Sequence, residues 1–278
     1  MFRYTTLTFL REVGFWLLAA LFLIPFFFLV MTAFKSDEEL FTTSPLGGPT
    51  TPDFSNFTEL FTAQGNTNII QGLINSTIMT VGAILGLVLL GALTGYVLAR
   101  STRRWSKAVY YLFLIAIVLP SQLGTVPLYI GARAVGLTGT LWGMIILYIG
   151  MMLPLAIFLY AGFFRGLGTE YEEAATIDGA SRTQIFFRIV LPLMSPATGT
   201  VAILTGLIVW NDFFTALIFI GGSSAQTLPV SMYYFIGSLV SQWNKIFAIV
   251  LVSMIPILAF YLFAQKKFIQ GFAGGLKG

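Results

Sequence analysis

Cysteine and histidine are both missing from this 278-residue chain. Their absence excludes a thiol nucleophile, a Cys/His metal site and a Ser-His triad built within it. Charge is scarce too: 9% of the residues are Asp, Glu, Lys or Arg, against roughly 25% in soluble domains. No GxxxxGK[ST] phosphate loop occurs, so the chain does not bind and hydrolyse ATP in that way.

What is present is apolar: 57% of the residues are hydrophobic. A membrane-spanning helix needs about 20 predominantly apolar residues, and six windows meet that demand, at 13–34, 73–99, 108–130, 141–164, 197–220 and 246–264. The polar and apolar residues do not alternate in runs of about ten, which excludes a transmembrane barrel. The expected fold is an all-α membrane protein, one transmembrane domain of six helices over residues 1–278. Aromatic residues, 15% of the chain, read as interfacial belts and lipid-facing side chains rather than as a sugar platform.

Lysine and arginine concentrate on the cytoplasmic side of a membrane protein. Arg3, Arg11, Arg100, Arg103, Arg104, Lys107, Arg165, Arg182, Arg188, Lys266, Lys267 and Lys277 fall on one side of the windows, and Lys35, Arg133 and Lys245 on the other. Both termini are therefore expected in the cytoplasm. The net charge of +4 is explained by topology and implies no nucleic-acid partner. The first window is too long for a signal-peptide core and lacks a small-residue cleavage site before Lys35, so it reads as a retained helix.

The one long outward segment, residues 35–72, reads as a loop with a short amphipathic helix near Phe57–Phe61. Asn56 and Asn75 stand in Asn-x-Ser/Thr patterns, short enough to arise by chance. In the second window Gly82, Gly86, Gly91 and Gly95 form two GxxxG spacings, which suit close packing of helix backbones. Pro120, Pro127, Pro154 and Pro256 lie in or near spans, where they break or kink helices.

Asp212, in "VWNDFFTAL", is the one acid inside the six windows. An aspartate at a bilayer centre costs about 2.5 to 3.5 kcal/mol on insertion scales, so it is expected to face protein or water. Two readings stand: a polar patch with Trp210, Asn211 and Thr215 along a solute route, or a hydrogen bond that fixes helix packing.

Against this background "EYEEAATIDGASRTQIFFRIVLP", Glu170 to Pro192, is conspicuously charged. Thr169 with Glu172 and Ser181 with Gln184 fit the capping box. Gly179 between them fits a left-handed helix end, and Pro192 stops the second helix or marks the start of the fifth span. A cytoplasmic helix-turn-helix over 169–192 is expected. Ala174 and Ala175 let another surface approach the first helix, while Ile185, Phe186, Ile189 and Val190 form a stripe for the membrane end of the bundle.

The run Glu173-Ala174-Ala175, Gly179, Ile189-Val190-Leu191-Pro192 reproduces the EAA, x3, G, x9, I-x-L-P signature of membrane subunits of ABC importers. "TAFKS", "VPLYIGARAVGLTGTLWGMIILY", "WNDFFTALI", "TLPVSMYYF" and "QGFAGGLKG" extend the resemblance over most of the chain. It resembles the MalG-like permease of carbohydrate-type importers, with the MetI-like fold of type I ABC importers. Gly168 departs from the proline that the family often carries there.

The resemblance implies a coupling loop in a cleft of an ATP-binding subunit, with Glu172, Glu173, Ala174, Ala175, Asp178, Gly179 and Ala180 as the docking residues. It implies that the tail at Gly274, Gly275 and Lys277 reaches the ATPase dimer. The implied partners are a second homologous permease, two ATP-binding subunits that hold the ATP and Mg, an extracytoplasmic solute-binding protein, membrane lipid and a carbohydrate substrate. The chain itself would carry no cofactor and no enzyme activity, in a bacterial or archaeal cytoplasmic membrane. The alternative is an ion-coupled carrier using Asp212, which predicts uptake that collapses with an uncoupler. An intramembrane enzyme lacks a His pair, a Cys or a second membrane carboxylate.

Overall fold

The computed structural model describes residues 5–44, 46–236 and 242–275. Fourteen α-helices carry most of them, with no strand among the described residues, as the apolar windows require.

Four helices are long and apolar enough to cross a membrane. They are α1 (Thr6–Ala33), α4 (Ile69–Arg100), α7 (Leu141–Gly166) and α14 (Trp243–Gly275), the last by its stretch Trp243–Leu262. The remaining two expected spans are each interrupted. The window 108–130 is α5 (Arg104–Val118), a 3-10 turn at Ser121–Gly124 and α6 (Thr125–Ala134), turning through 92°. Pro120 explains the break, because a residue before proline is pushed out of the helical region, and Leu119 is extended with ψ 127°.

The window 197–220 is likewise two helices, α11 (Ser195–Asn211) and α12 (Phe214–Ile220), separated at Asp212. Between α1 and α4 lie α2 (Glu39–Thr42) and α3 (Ser55–Thr62), the latter covering the expected amphipathic turn. The charged loop forms α8 (Glu170–Ile177), α9 (Arg182–Ile185), a π-helical turn at Phe186–Val190 and α10 (Leu191–Leu193). A 72° bend then leads into α11. Helix α13 (Leu228–Tyr233) precedes the final helix.

Contacts group the chain into two compact units, Met1–Ile69 with Ser231–Ile255, and Ile70–Val230 with Pro256–Gly278. The first unit is organised by a buried amide knot. Asn56 Nδ2 donates to the carbonyls of Ala33 (3.0 Å) and Lys35 (2.9 Å), and Asn244 Nδ2 donates to Asn56 Oδ1 (3.0 Å) and Asp37 Oδ1 (2.8 Å). Lys35 is buried with them and its ammonium donates to the Ser44 carbonyl at 2.8 Å. The end of α1 is thereby tied to α3 and α14, since each buried carbonyl needs a donor. Nearby, Lys245 pairs with Glu59. Hydrogen bonds from Thr50, and to a lesser degree Ser36, hold the Glu39 carboxyl below its usual range. Ser55 does the same for Asp53.

In the second unit the GxxxG glycines of α4 face α7. A Cβ at Gly82 would stand 2.8 Å from Ile145 Cδ1, one at Gly91 2.9 Å from Ala156 Cβ, and one at Gly95 2.8 Å from Tyr160 Cβ. The small residues therefore serve packing within the chain, where side-chain loss permits backbone approach. Around this seam one cluster joins Met79, Ala83, Met144, Tyr148 and Phe219. A second joins Leu87, Tyr160, Phe164, Ile185, Phe186, Val190 and Val201. The stripe expected at Ile185, Phe186, Ile189 and Val190 belongs to the second cluster.

Both Asn-x-Ser/Thr asparagines are 2% exposed. Asn75 Nδ2 donates to the carbonyls of Ser224 and Gln226, each at 2.9 Å, and so joins α4 to the segment before α13. Neither amide is presented for glycosylation.

Candidate functional site

The charged loop is built as two short helices about Gly179, which takes φ 79°, a conformation that costs a side chain but not glycine. After it Ser181 closes a full capping box: its hydroxyl accepts from Gln184 N–H, and the Gln184 side chain accepts from Ser181 N–H at 2.8 Å. The box expected at Thr169 does not form. Thr169 has helical backbone angles, and its hydroxyl donates instead to Glu173 Oε1 at 2.7 Å.

Glu172 is drawn away from that box by stronger partners. Its carboxylate accepts from Arg100 Nε at 2.8 Å and from the Tyr96 hydroxyl at 2.7 Å. The same guanidinium donates to the carbonyls of Phe164 and Leu167, each at 2.9 Å. Charge-assisted hydrogen bonds are roughly twice as strong as neutral ones, which explains why the acid faces inward.

The seven loop residues expected to dock a partner thus divide. Glu173, Ala174, Asp178 and Gly179 are exposed, whereas Ala175 is buried, Ala180 is half-buried against the apolar cluster, and Glu172 is committed to Arg100. Two residues passed over in the sequence join the exposed face: Tyr171 at 54% and Ile177 at 87% exposure. Ile177 disrupts no periodic pattern, so only its exposure reveals it. Of the tail residues, Gly274 and Gly275 end α14 and Lys277 lies outside the described residues.

Of the four residues grouped around Asp212, the structure brings Thr215 to its carboxylate. Asp212 ends α11 and turns its carboxylate to the start of α12, accepting from Thr215 Oγ1 (3.2 Å), Thr215 N (3.4 Å) and Ala216 N (3.3 Å). The Tyr148 hydroxyl on α7 donates to it at 2.8 Å. Tyr148 was not legible from sequence, since a tyrosine in an apolar helix carries no local mark of its partner. Asn211 is exposed and its amide donates to the Leu207 carbonyl at 2.8 Å. Trp210 lines a cavity of about 110 Å³ with Gly206, Leu207, Pro256 and Phe260. That lining is apolar apart from Thr77 and Thr80, and offers few partners for sugar hydroxyls. No cluster of acids able to hold a metal ion occurs among the described residues.

Residues 88–273, which include the whole loop over 169–192, match the family of binding-protein-dependent transport system inner membrane components. The chain belongs to this family.

Its curated relatives match along most of their length. The probable starch degradation products transport system permease protein AmyC of Thermoanaerobacterium thermosulfurigenes is 34% identical over 93% of this permease and 92% of its own length. The melibiose/raffinose/stachyose import permease protein MelC of Bacillus subtilis (strain 168) is also 34% identical, over 91% of this permease and 90% of its own length. In structure, the permease matches a chain from a bacterial ABC transporter involved in the import of the acidic polysaccharide alginate. The TM-score is 0.82 at 21% identity, covering 96% of this chain and all of that one. That match supports the fold of an ABC importer permease. As an inner membrane component with several apolar helices, the chain is a multi-pass membrane protein.

Proposed function

We propose that this permease forms half of the translocation pathway of an ATP-driven importer for oligosaccharides, beside a second homologous permease. An extracytoplasmic solute-binding protein delivers the sugar, and two ATP-binding subunits supply the ATP and Mg. Both termini lie in the cytoplasm, as the distribution of Lys and Arg requires. The relatives named for starch degradation products and for melibiose, raffinose and stachyose support the sugar class.

The observation that carries the coupling role is the two-sided loop. Ile185, Phe186 and Val190 are buried in the bundle while Tyr171, Glu173, Ala174, Ile177, Asp178 and Gly179 are turned out. An ATP-binding subunit seated on that outer face pushes on a loop rooted in the helix core. Closure of the ATPase dimer then passes into the spans as a rigid-body change between two global states. The alternative, ion coupling at Asp212, loses ground because that carboxylate is engaged by Tyr148, Thr215 and Ala216 in a helix-joining role.

The test is uptake of radiolabelled maltotriose and raffinose by proteoliposomes holding the full transporter and its binding protein. Glu173→Lys and Gly179→Asp are expected to lower ATP-driven uptake by about tenfold or more, within the usual range of coupling energies, with unchanged amounts of permease in the membrane. Glu173→Lys is the cleaner of the two, since Gly179→Asp also burdens a positive φ. Full uptake by both variants refutes the docking assignment, and uptake abolished by an uncoupler but indifferent to ATP refutes the importer reading.

A further inference from the structure

We infer that Arg100 is a positioning residue of energy coupling: it fuses the first loop helix, the end of α4 and the end of α7 into one moving body. The inference rests on the proposal that an ATP-binding subunit drives the loop, and adds the point at which that drive enters the spans.

The geometry is specific. Arg100 is the last residue of α4, and its side chain reaches three places at once: Glu172 on α8, and the Phe164 and Leu167 carbonyls at the end of α7. Those carbonyls lie at the negative end of a helix, where a cation is favoured. The planar guanidinium supplies donors in a fixed fork, so the three partners are held in one mutual orientation, which a lysine ammonium would not impose. Tyr96, one turn earlier on α4, closes the arrangement by donating to the other oxygen of Glu172 and packing its ring on Phe164 and Phe186. Both members of the ion pair are largely shielded, at 18% and 16% exposure.

Without this clamp, α8 would be linked to α7 through the short backbone segment Leu167–Thr169 and its apolar contacts, and a push on α8 could be absorbed by that segment. With it, α8 cannot shift relative to α4 without breaking charge-assisted hydrogen bonds. Glu172 is thus removed from the set of outward docking residues and given an inward task. Glu173, its neighbour, keeps the outward one.

The experiment uses the complete transporter in lipid nanodiscs. The permease lacks cysteine, so nitroxides at Leu90→Cys on α4 and Glu170→Cys on α8 label it at two chosen sites once cysteines of its partners are replaced. Pulsed spin-resonance distances are compared without nucleotide and with ATP and vanadate. With Arg100 present one label separation is expected in both states. Arg100→Gln is expected to give a separation that shifts between the states, with ATP hydrolysis retained, and Arg100→Lys an intermediate shift.

If Arg100→Gln fails to assemble, Glu172→Gln, which keeps the acceptor but removes its charge, must show the shift. A separation equal in both states for the assembled glutamine variants overturns the inference and leaves the docking proposal standing. Co-purification of the ATP-binding subunit with Glu173→Lys at the unaltered level overturns docking, and this inference with it.

Discussion

Two polar centres, one in each unit, hold their groups in opposite ways. In the first, amides are buried to completion: Asn56 and Asn244 are 2% and 1% exposed and bond to backbone carbonyls and to each other. In the second, the centre at the end of α4 is an ion pair that stands at the edge of the apolar cluster and shares its surroundings with a face turned to solvent. Amides can be buried because they carry no Born cost, but each missing bond then exacts the full desolvation penalty. A charged clamp at a boundary keeps some hydration and tolerates loss of partners at smaller cost to stability. The first arrangement suits a fixed fastening. The second suits a joint that transmits motion.

The difference is open to direct attack. Asn244→Ala should have the largest effect on stability, about 3 kcal/mol, because it strips bonds from Asn56, Asp37 and the Lys35 carbonyl in a buried place. A fall in the thermal unfolding midpoint of the purified permease would register it, and a midpoint equal to the unaltered protein would break the contrast. Ser181→Ala removes a capping box on the charged loop and is expected to cost about 1 kcal/mol, read as faster amide exchange over Ser181–Phe186.

The smallest effect is that of pH on the segment around Glu39. Its carboxyl is held below the usual range by Thr50 and Ser36, so its ordering contribution is present above the unfolded carboxyl pKa. That contribution disappears as pH falls through the lower folded value. Amide exchange at Thr50, divided by its intrinsic rate at each pH, should therefore be steady from about pH 8 to 5 and quicken below about pH 4. An earlier rise, near pH 6, would exclude the carboxylate as its cause.

Much of the loop over 169–192 was legible in sequence because its signals are local. A capping serine with glutamine three residues on, and a glycine between two helical patterns, declare a turn whatever surrounds them, and Ser181, Gln184 and Gly179 behave accordingly. Thr169 and Glu172 carried the same local signal and failed it. Arg100, 72 residues away in the chain, offers Glu172 a better partner than the helix start does. The six windows also emerged from composition, but hydropathy averages over a bend. It could not register that Leu119–Pro120 bends one of them by 92° and that Asp212 interrupts another.

Composition and spacing alone determined that this protein is helical, lives in a membrane and carries a charged helix-turn-helix loop, because length, apolarity and short-range capping are properties of contiguous residues. Tertiary structure alone decided what each polar residue does. Asp212 ties two helix ends to Tyr148, Asn56 and Asn75 fasten loops rather than face solvent, and Glu172 turns inward to Arg100. In an apolar chain a polar group takes the strongest partner the fold brings near, and that partner is set by contacts between residues far apart in sequence.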